Sequence, residues 1–373
     1  MEIVYLANIV TDNCLTKRNN HKHHFPSGIK KALAIAGLIN NRGFTVKLLS
    51  PSLVNNNTFK YFTSFEEEYK GNYIKHCSCY DISGIHILSS IISAIVILTG
   101  QRQTFKSVLF YNYRPETAIP ALFSKIVLGK KIYLDYEDDL LLSDLNPLLK
   151  MVFYLIEIFC NFFLSGALVV NPNLQKKLRT NNVQIIEGIF NYKLMNEFSQ
   201  FKKLRIKDKI FMYSGSLDKY RGVKQYIDIA ESVIENDGGK TNFEFWITGK
   251  GPLDAYVHEK CNEYPEHLKY FGFVTDDKLM DLYKEVDCFV VFNDPDSKHN
   301  TGLFPSKLYE YLSTGRKVLF YGSSSLNAGN LWQFDSLNTL KAAIESYIKG
   351  ERQLFEYDAE VSIINQDIGI FDR

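Results

Sequence analysis

The stretch from His299 to Tyr321, HNTGLFPSKLYEYLSTGRKVLFY, constrains the fold of this chain more than any other. It reads as a loop, a short helix, a turn and a buried strand. Ser306 is placed to cap the helix, because its hydroxyl can accept from an orphan amide of the first turn. Leu308 and Leu312 lie four apart on the face that enters a core, and Gly315 suits the left-handed position after the last turn. Lys317 to Tyr321 is a short apolar run, the pattern of a strand covered on both faces.

Lys307 and Glu310 are three apart and project from one side of that helix start. Free amides at a helix N-terminus suit an anion. A lysine beside them can neutralise phosphate, and a carboxylate one turn on can accept both hydrogen bonds of a ribose diol. The same residues also suit a surface Lys–Glu pair beside a core helix, worth only a few tenths of a kcal/mol. The preceding chain favours the first reading.

That chain alternates strand and helix throughout. Ile3 to Leu6 is a strand, Ile29 to Asn41 a helix closed by Gly43, and Val46 to Leu49 the next strand. Gly28 sits where the loop feeds the helix and lets a phosphate or sugar approach the backbone. His21, His23 and His24 have no second cluster of ligands, so they read as a solvated loop rather than a metal site. Further strands are expected at Val108–Tyr111, Ile132–Asp135, Leu168–Val170 and Val183–Ile186, with a helix over Glu116–Leu128. The acids of DYEDD, residues 135–139, follow a strand end; they either orient an acceptor hydroxyl or cap the next helix.

Residues 191–209 carry charge and no clear period, and read as a link. The pattern then restarts in KIFMYSGSLDKYRG, with a strand over Ile210–Tyr213 and a helix over Val223–Ile234. Gly215, Ser216, Arg221 and Gly222 between them form a workable diphosphate cradle; a plain loop with a solvated arginine is the alternative. Strands at Phe243–Thr248, 268–274 and Cys288–Phe292, with a helix from about Asp276, complete the second series. The fold expected is α/β, two doubly wound sheets with a cleft between them.

Composition agrees with two soluble domains. The chain has 373 residues, too many for one ordinary core, with 46% hydrophobic and 23% charged residues. Lys plus Arg (43) against Asp plus Glu (42) leaves +1, which argues against a nucleic-acid binder. The six cysteines are scattered, with no CxxC pair, and predict free thiols in a reducing, cytoplasmic setting. The N-terminus MEIVYLANIV lacks a basic n-region and reads as a first strand. Ile85–Leu98 is too short to span a bilayer, and Met151–Val170 contains Glu157 and Asn161, so both read as buried or interfacial helices.

Four segments, YSGSLDKYRG, FWITGKGP, YFGFVTDDKLMDLYKEVDCFVVF and GLFPSKLYEYLSTGRKVL, resemble the retaining glycosyltransferases of the GT4 family, the glycosyl transferases of group 1. They cover roughly residues 209–322. The first half is similar more loosely, through Gly28, the helix ending RGFTV and the segment IIEGIFN. The resemblance implies the GT-B fold, two Rossmann-like domains facing across a cleft. It implies an acceptor-side domain at 1–190, a nucleotide-sugar domain at 191–355, and a segment 356–373 that crosses back to the first domain.

It also implies transfer of a sugar from a nucleotide diphosphate to an acceptor hydroxyl with retention, in glycan or cell-surface polysaccharide synthesis. The second glutamate of the family's E-x7-E pattern falls on Glu310, which implies contact with the donor ribose; the first falls on Gly302. Backbone near Leu303, Phe304 and Pro305 then meets the sugar, with Ser306 and Leu308 beside it. The family's first cation falls on Ser216 and its second on Arg221, while Lys307 restores a charge. Lys307 and Arg221 are the expected catalytic groups, stabilising the leaving diphosphate. Gly28, Gly215, Gly249 and Val274 complete the implied donor contacts. No metal or cofactor is implied, the nucleotide sugar being a substrate. The implied partners are that donor and a glycan or lipid-linked acceptor, with peripheral association at the inner face of the cell membrane. A nucleotide-sugar epimerase of the same fold, or a non-catalytic nucleotide-sugar-binding subunit, would use the same residues.

Overall fold

The structure is a computed structural model that describes residues 2–18, 26–142, 146–190, 192–199, 209–294, 307–324, 326, 328–350 and 368–371. Its chain divides into two compact units, Met1–Ile189 with Gln366–Arg373, and Phe190–Asn365.

The first unit opens with β1 (Glu2–Leu6), α1 (Asp12–Arg18), α2 (Pro26–Asn41) and β2 (Thr45–Ser50). An insertion follows, with β3 (Tyr61–Phe62), β4 (Phe65–Tyr69), β5 (Asn72–His76) and β6 (Cys79–Tyr80). Then come α3 (Ile85–Gly100), β7 (Phe105–Tyr111), α4 (Pro115–Ile126), β8 (Lys131–Tyr136), α5 (Pro147–Phe163), β9 (Gly166–Val169), α6 (Pro172–Gln175) and β10 (Val183–Ile185). The sheet runs β10-β9-β8-β7-β1-β2-β5-β4, parallel except for the antiparallel β4–β5 pair. The chain thus reverses direction across the sheet between β1 and β7.

Period-two alternation assigns the two faces of this sheet. Ile3, Tyr5, Leu109 and Tyr133 pack with α2 and with Ile368, Ile370 and Phe371 from the chain's far end. The returning segment is held by Gly369 N–H donating to Gln184 at 2.9 Å and Asn182 donating to the Ile370 carbonyl at 2.9 Å. Helices α4 and α5 cross between strands that step away from β2, so right-handed connections carry them to the opposite face. There α4 packs against both α3 and α5.

A buried network secures the insertion. The Arg18 guanidinium donates to the carbonyls of Ser52, Thr63 and Cys77 at 3.0, 2.8 and 2.8 Å. His76 lies between Ser52 Oγ at 2.5 Å and Glu67 Oε1 at 2.6 Å. Burial pulls the His76 pKa down to about 4, outweighing the upward pull of Glu67, so the imidazole is neutral near pH 7.

The second unit contains α7 (Tyr192–Ser199), β11 (Lys209–Ser214), α8 (Val223–Asp237), β12 (Phe243–Thr248), α9 (Asp254–Glu263) and β13 (Leu268–Tyr270). It continues with α10 (Asp276–Glu285), β14 (Cys288–Phe292), α11 (Lys307–Leu312), β15 (Lys317–Tyr321), β16 (Leu331–Phe334) and α12 (Leu337–Lys349). The sheet is wholly parallel in the order β13-β12-β11-β14-β15-β16. Numbered from its own first strand, this is 3-2-1-4-5-6, the dinucleotide-binding arrangement, with its switch point between β11 and β14. Phe211 and Tyr213 face α8 and α12, while Ile210 and Met212 face the core built with α7, α10 and α11.

Several expectations shift. The helix after β1 begins at Pro26, so Gly28 lies in its first turn rather than in a loop. The stretch read as a link contains α7, whose Leu194 and Phe198 are buried in the second core. The apolar run from Met151 splits into the end of α5 and the strand β9. All six cysteines are free thiols. Among the described residues no helix is long and apolar enough to cross a membrane, and no His/Cys/Asp/Glu group is arranged to hold a metal. His21, His23 and His24 lie outside the described residues.

Candidate functional site

In the second unit, loops at the carboxyl ends of β11 and β12 interlock. Leu217 N–H donates to the Lys250 carbonyl at 3.1 Å, and Leu253 N–H to the Leu217 carbonyl at 2.9 Å. Gly249 has φ 140°, and a Cβ there would stand 1.8 Å from the Gly215 carbonyl oxygen. A Cβ on Gly251 would lie 2.5 Å from the Leu217 carbonyl oxygen. The glycines of GKGP are therefore demanded by backbone-on-backbone packing. Tyr270 donates to the Gly249 carbonyl at 2.9 Å and fixes the loop from the other side.

The Gly215–Gly222 turn is closed by one side chain. The Tyr213 hydroxyl lies 2.8 Å from the Ser216 carbonyl and 3.1 Å from the Arg221 carbonyl, gathering both ends of the loop. Gly222 takes φ 87° as the N-cap of α8, and a Cβ there would overlap Phe292 at 2.2 Å. Ser216 is exposed, Arg221 half-buried, and the Arg221 guanidinium makes no ion pair among the described residues.

Helix α11 reaches this turn through Tyr311, which is buried, stacks on Phe289 at 4.1 Å and donates to the Ser214 carbonyl at 2.8 Å. On the same helix Lys307 Nζ lies 3.0 Å from Glu310 Oε1, and the Tyr283 hydroxyl lies 3.1 Å from that oxygen and 3.0 Å from Lys307 Nζ. Burial alone would lower the Lys307 pKa, but Glu310 and its neighbours outweigh it and the net shift is upward. The ammonium is charged at neutral pH. Burial, with Glu310 close by, holds the Tyr283 hydroxyl well above its ordinary value, so it remains a neutral donor.

These contacts bring Gly215, Arg221, Gly249, Lys307 and Glu310 to the carboxyl end of one parallel sheet. Val274 is half-buried against the same core. Leu308 is fully buried, so any ligand contact it makes is through its backbone. Phe304 and Ser306, with Gly302, Leu303 and Pro305, lie outside the described residues. Tyr283, Tyr311 and Tyr213 are the members that sequence reasoning missed; each stands in a strand or helix where an aromatic side chain reads simply as core.

Gly28 belongs to the first unit, where a Cβ on it would make ordinary contact with the Tyr111 hydroxyl at 3.7 Å. That hydroxyl donates to Glu137, and Tyr5 donates to Asp135 at 2.5 Å. Lys31, on the next turn of α2, lies 3.5 Å from Asp135 and 3.6 Å from Glu137. Burial would depress the lysine, but the three carboxylates Asp135, Glu137 and Asp138 outweigh it and raise its pKa. The acids of DYEDD divide their work: Asp135 and Glu137 join this cluster, while Asp139 accepts from Leu141 N–H at 3.2 Å and pairs with Lys177.

Residues 195–324, which hold the whole second-unit cluster, match the family of glycosyl transferases group 1. Over these residues the chain is similar to the group 1 glycosyltransferases. The sequence comparison with curated proteins finds no match. Solved structures agree along nearly the whole chain. The lipopolysaccharide outer core galactosyltransferase WaaB in its apo form is 13% identical with a TM-score of 0.56, covering 94% of this chain and 91% of its own. Sucrose-phosphate synthase from Thermosynechococcus elongatus is 10% identical with a TM-score of 0.64, covering 94% and 90%. Anabaena HepE in complex with UDP and glucose is 12% identical with a TM-score of 0.55, covering 93% and 90%. At such identities the likeness is one of fold: two Rossmann-like units, as the motifs led us to expect.

Proposed function

We propose that this protein is a glycosyltransferase that moves a hexosyl group from a nucleoside diphosphate sugar to an acceptor hydroxyl with retention at the anomeric carbon. The observation that carries the reading is the Tyr311–Ser214 hydrogen bond, which joins the Lys307–Glu310 helix to the Gly215–Arg221 turn. In the reaction the bond from the anomeric carbon to the diphosphate oxygen breaks, and a bond to the acceptor oxygen forms on the same face. The acceptor's proton passes to the leaving phosphate oxygen. Negative charge grows on the diphosphate, where Arg221 and the charged Lys307 stabilise it. Glu310 binds the ribose and holds Lys307 in place. No protein base is assigned. The reading needs no metal, because two cations and backbone amides take up the charge.

The acceptor falls to the first unit, where Glu137, Asp135 and Lys31 lie beside Gly28 at the sheet's reversal point. A glycan or lipid-linked acceptor at the inner face of the cell membrane, in cell-surface polysaccharide synthesis, fits this reading. Relatives of the fold include a lipopolysaccharide galactosyltransferase and a protein solved with UDP-glucose, so UDP-sugars come first in any trial. Incubating the protein with UDP- and GDP-hexoses tests the proposal. Slow release of free nucleoside diphosphate and sugar, with the anomer of the donor retained, is expected. Interconversion of the sugar would make the protein an epimerase, and binding without turnover a nucleotide-sugar-binding subunit.

A further inference from the structure

Helix α5 buries only Ile156, Cys160 and Asn161. Nine large apolar side chains stand out from it, among them Leu148 and Phe162 at 69% exposure and Phe159 at 58%. This is the reverse of an ordinary surface helix, which turns its polar face to water. Its neighbours continue the pattern. Ile85, Leu88, Ile92 and Val96 run along the exposed stripe of α3, and Ile119 and Ile126 lie on the outside of α4. Since α4 packs against both α3 and α5, the three outer faces join into one apolar surface.

Charge on and beside this surface is mainly positive. The acids of the three helices are Glu116, which is buried, and Glu157, whose pKa burial raises above the carboxylate range's usual value. Glu157 is half-buried, as are the lysines of the helices. Lys125 and Lys150 lie on the helices, and Arg102, Arg114 and Lys130 flank their ends.

We infer that the joined outer faces of α3, α4 and α5 form a docking surface for an anionic lipid bilayer. The inference deepens the proposed acceptor reading and rests on it for a membrane-borne substrate; the surface itself rests on exposure and charge. A second copy of the chain is the competing occupant. A two-fold pairing sets the same patch against itself, so these cations would meet mainly cations, with the half-buried Glu157 alone on the helices' outer side to answer them. Anionic headgroups answer the cations, and the acyl boundary receives the leucine, isoleucine and phenylalanine side chains. None of the helices is long enough to cross the bilayer, so the surface lies along it.

Vesicle flotation tests this with phosphatidylcholine vesicles, with and without phosphatidylglycerol. Wild type is expected to float with the anionic vesicles and to be partly released by salt. Leu155→Glu with Phe159→Glu, at exposed positions, is expected to lower the partition coefficient about tenfold or more. Lys125→Glu with Lys150→Glu keeps the apolar surface and is expected to weaken binding to anionic vesicles alone. Wild type remaining with the unbound protein overturns the inference, as does undiminished flotation of both folded variants. A dimer in light scattering that Leu155→Glu with Phe159→Glu splits, without vesicle binding by wild type, assigns the surface to a second copy. UDP and GDP titrations on the same samples read the donor site separately, so its failure is not confused with failure of the surface.

Discussion

The Tyr311 hydroxyl donates to the Ser214 carbonyl at 2.8 Å, across the point where the strand order of the second unit reverses. One bond therefore couples the helix of Lys307 and Glu310 to the last residue before the Gly215 turn. Tyr311→Phe keeps the stack on Phe289 and removes the hydroxyl that makes that bond. The Ser214 carbonyl then loses a buried partner, at a cost of about 1–2 kcal/mol. We expect a modest fall in stability and a larger fall in nucleoside diphosphate affinity, because both halves of the donor site lose their shared anchor. Calorimetric titration beside urea unfolding checks it. An affinity that is untouched while stability drops would make Tyr311 a core residue and no more.

Gly249 is expected to tolerate no side chain. Its φ of 140° is strained for an alanine, and the added carbon would stand 1.8 Å from a backbone oxygen that has nowhere to retreat. Gly249→Ala should cost about 3 kcal/mol or more, from strain and overlap together. Gly238→Ala provides the comparison: φ is 59° but nothing lies within 4 Å, so about 1 kcal/mol is expected. Equal losses in the two variants would show that the loop can open, and that the interlock does not fix the site.

The fold was legible where periodicity was strong. The apolar runs at Val108–Tyr111, Phe243–Thr248 and Cys288–Phe292 all lie in parallel strands. The insertion of β3 to β6 was not legible, because FEEEY and NYIKH are half-exposed and are secured by the His76–Glu67 contact between them and by the distant Arg18. Lys307 and Glu310 stood out because charged residues at a helix start carry chemistry visibly. Tyr283 and Tyr311 did not, since only the folded chain reveals where a buried hydroxyl points.

His76 gives the first unit a pH dependence of known sign. Its folded pKa, about 4, lies below the unfolded 6.5, so the unfolded chain takes up a proton first as pH falls. Stability from this group is complete above 6.5 and declines as pH drops toward 4, by at most about 3 kcal/mol. The lowered pKa of Glu67, which results from its bonds to Thr11, Asn13 and His76 despite burial, adds loss of the same sign at the acid end. His76→Gln is less stable at pH 7 but should show a flatter decline between 6.5 and 4. Urea unfolding at several pH values measures both slopes, and parallel curves for the two proteins would assign the acid sensitivity elsewhere.

Lys307 and Glu310 are bound to each other at 3.0 Å, yet the proposed reaction uses them at different moments. The ribose is unchanged by the chemistry, so Glu310 contributes equally to ground and transition states. Glu310→Gln weakens a charge-assisted hydrogen bond, about 1.5–3 kcal/mol in ordinary cases, and should appear as weaker nucleoside diphosphate binding. Lys307 meets a charge that grows as the glycosidic bond breaks. Lys307→Met keeps the aliphatic stem over the Tyr283 and Tyr311 rings while removing that charge, and should lower turnover more than donor affinity. A pair that is merely structural behaves differently: each substitution would shift the melting temperature slightly and leave both binding and turnover intact. Titration of UDP and GDP into the two variants, with turnover measured on whichever nucleotide sugar wild type accepts, separates these outcomes. Wild-type affinity in Glu310→Gln removes the ribose contact, and wild-type turnover in Lys307→Met removes the charge stabilisation.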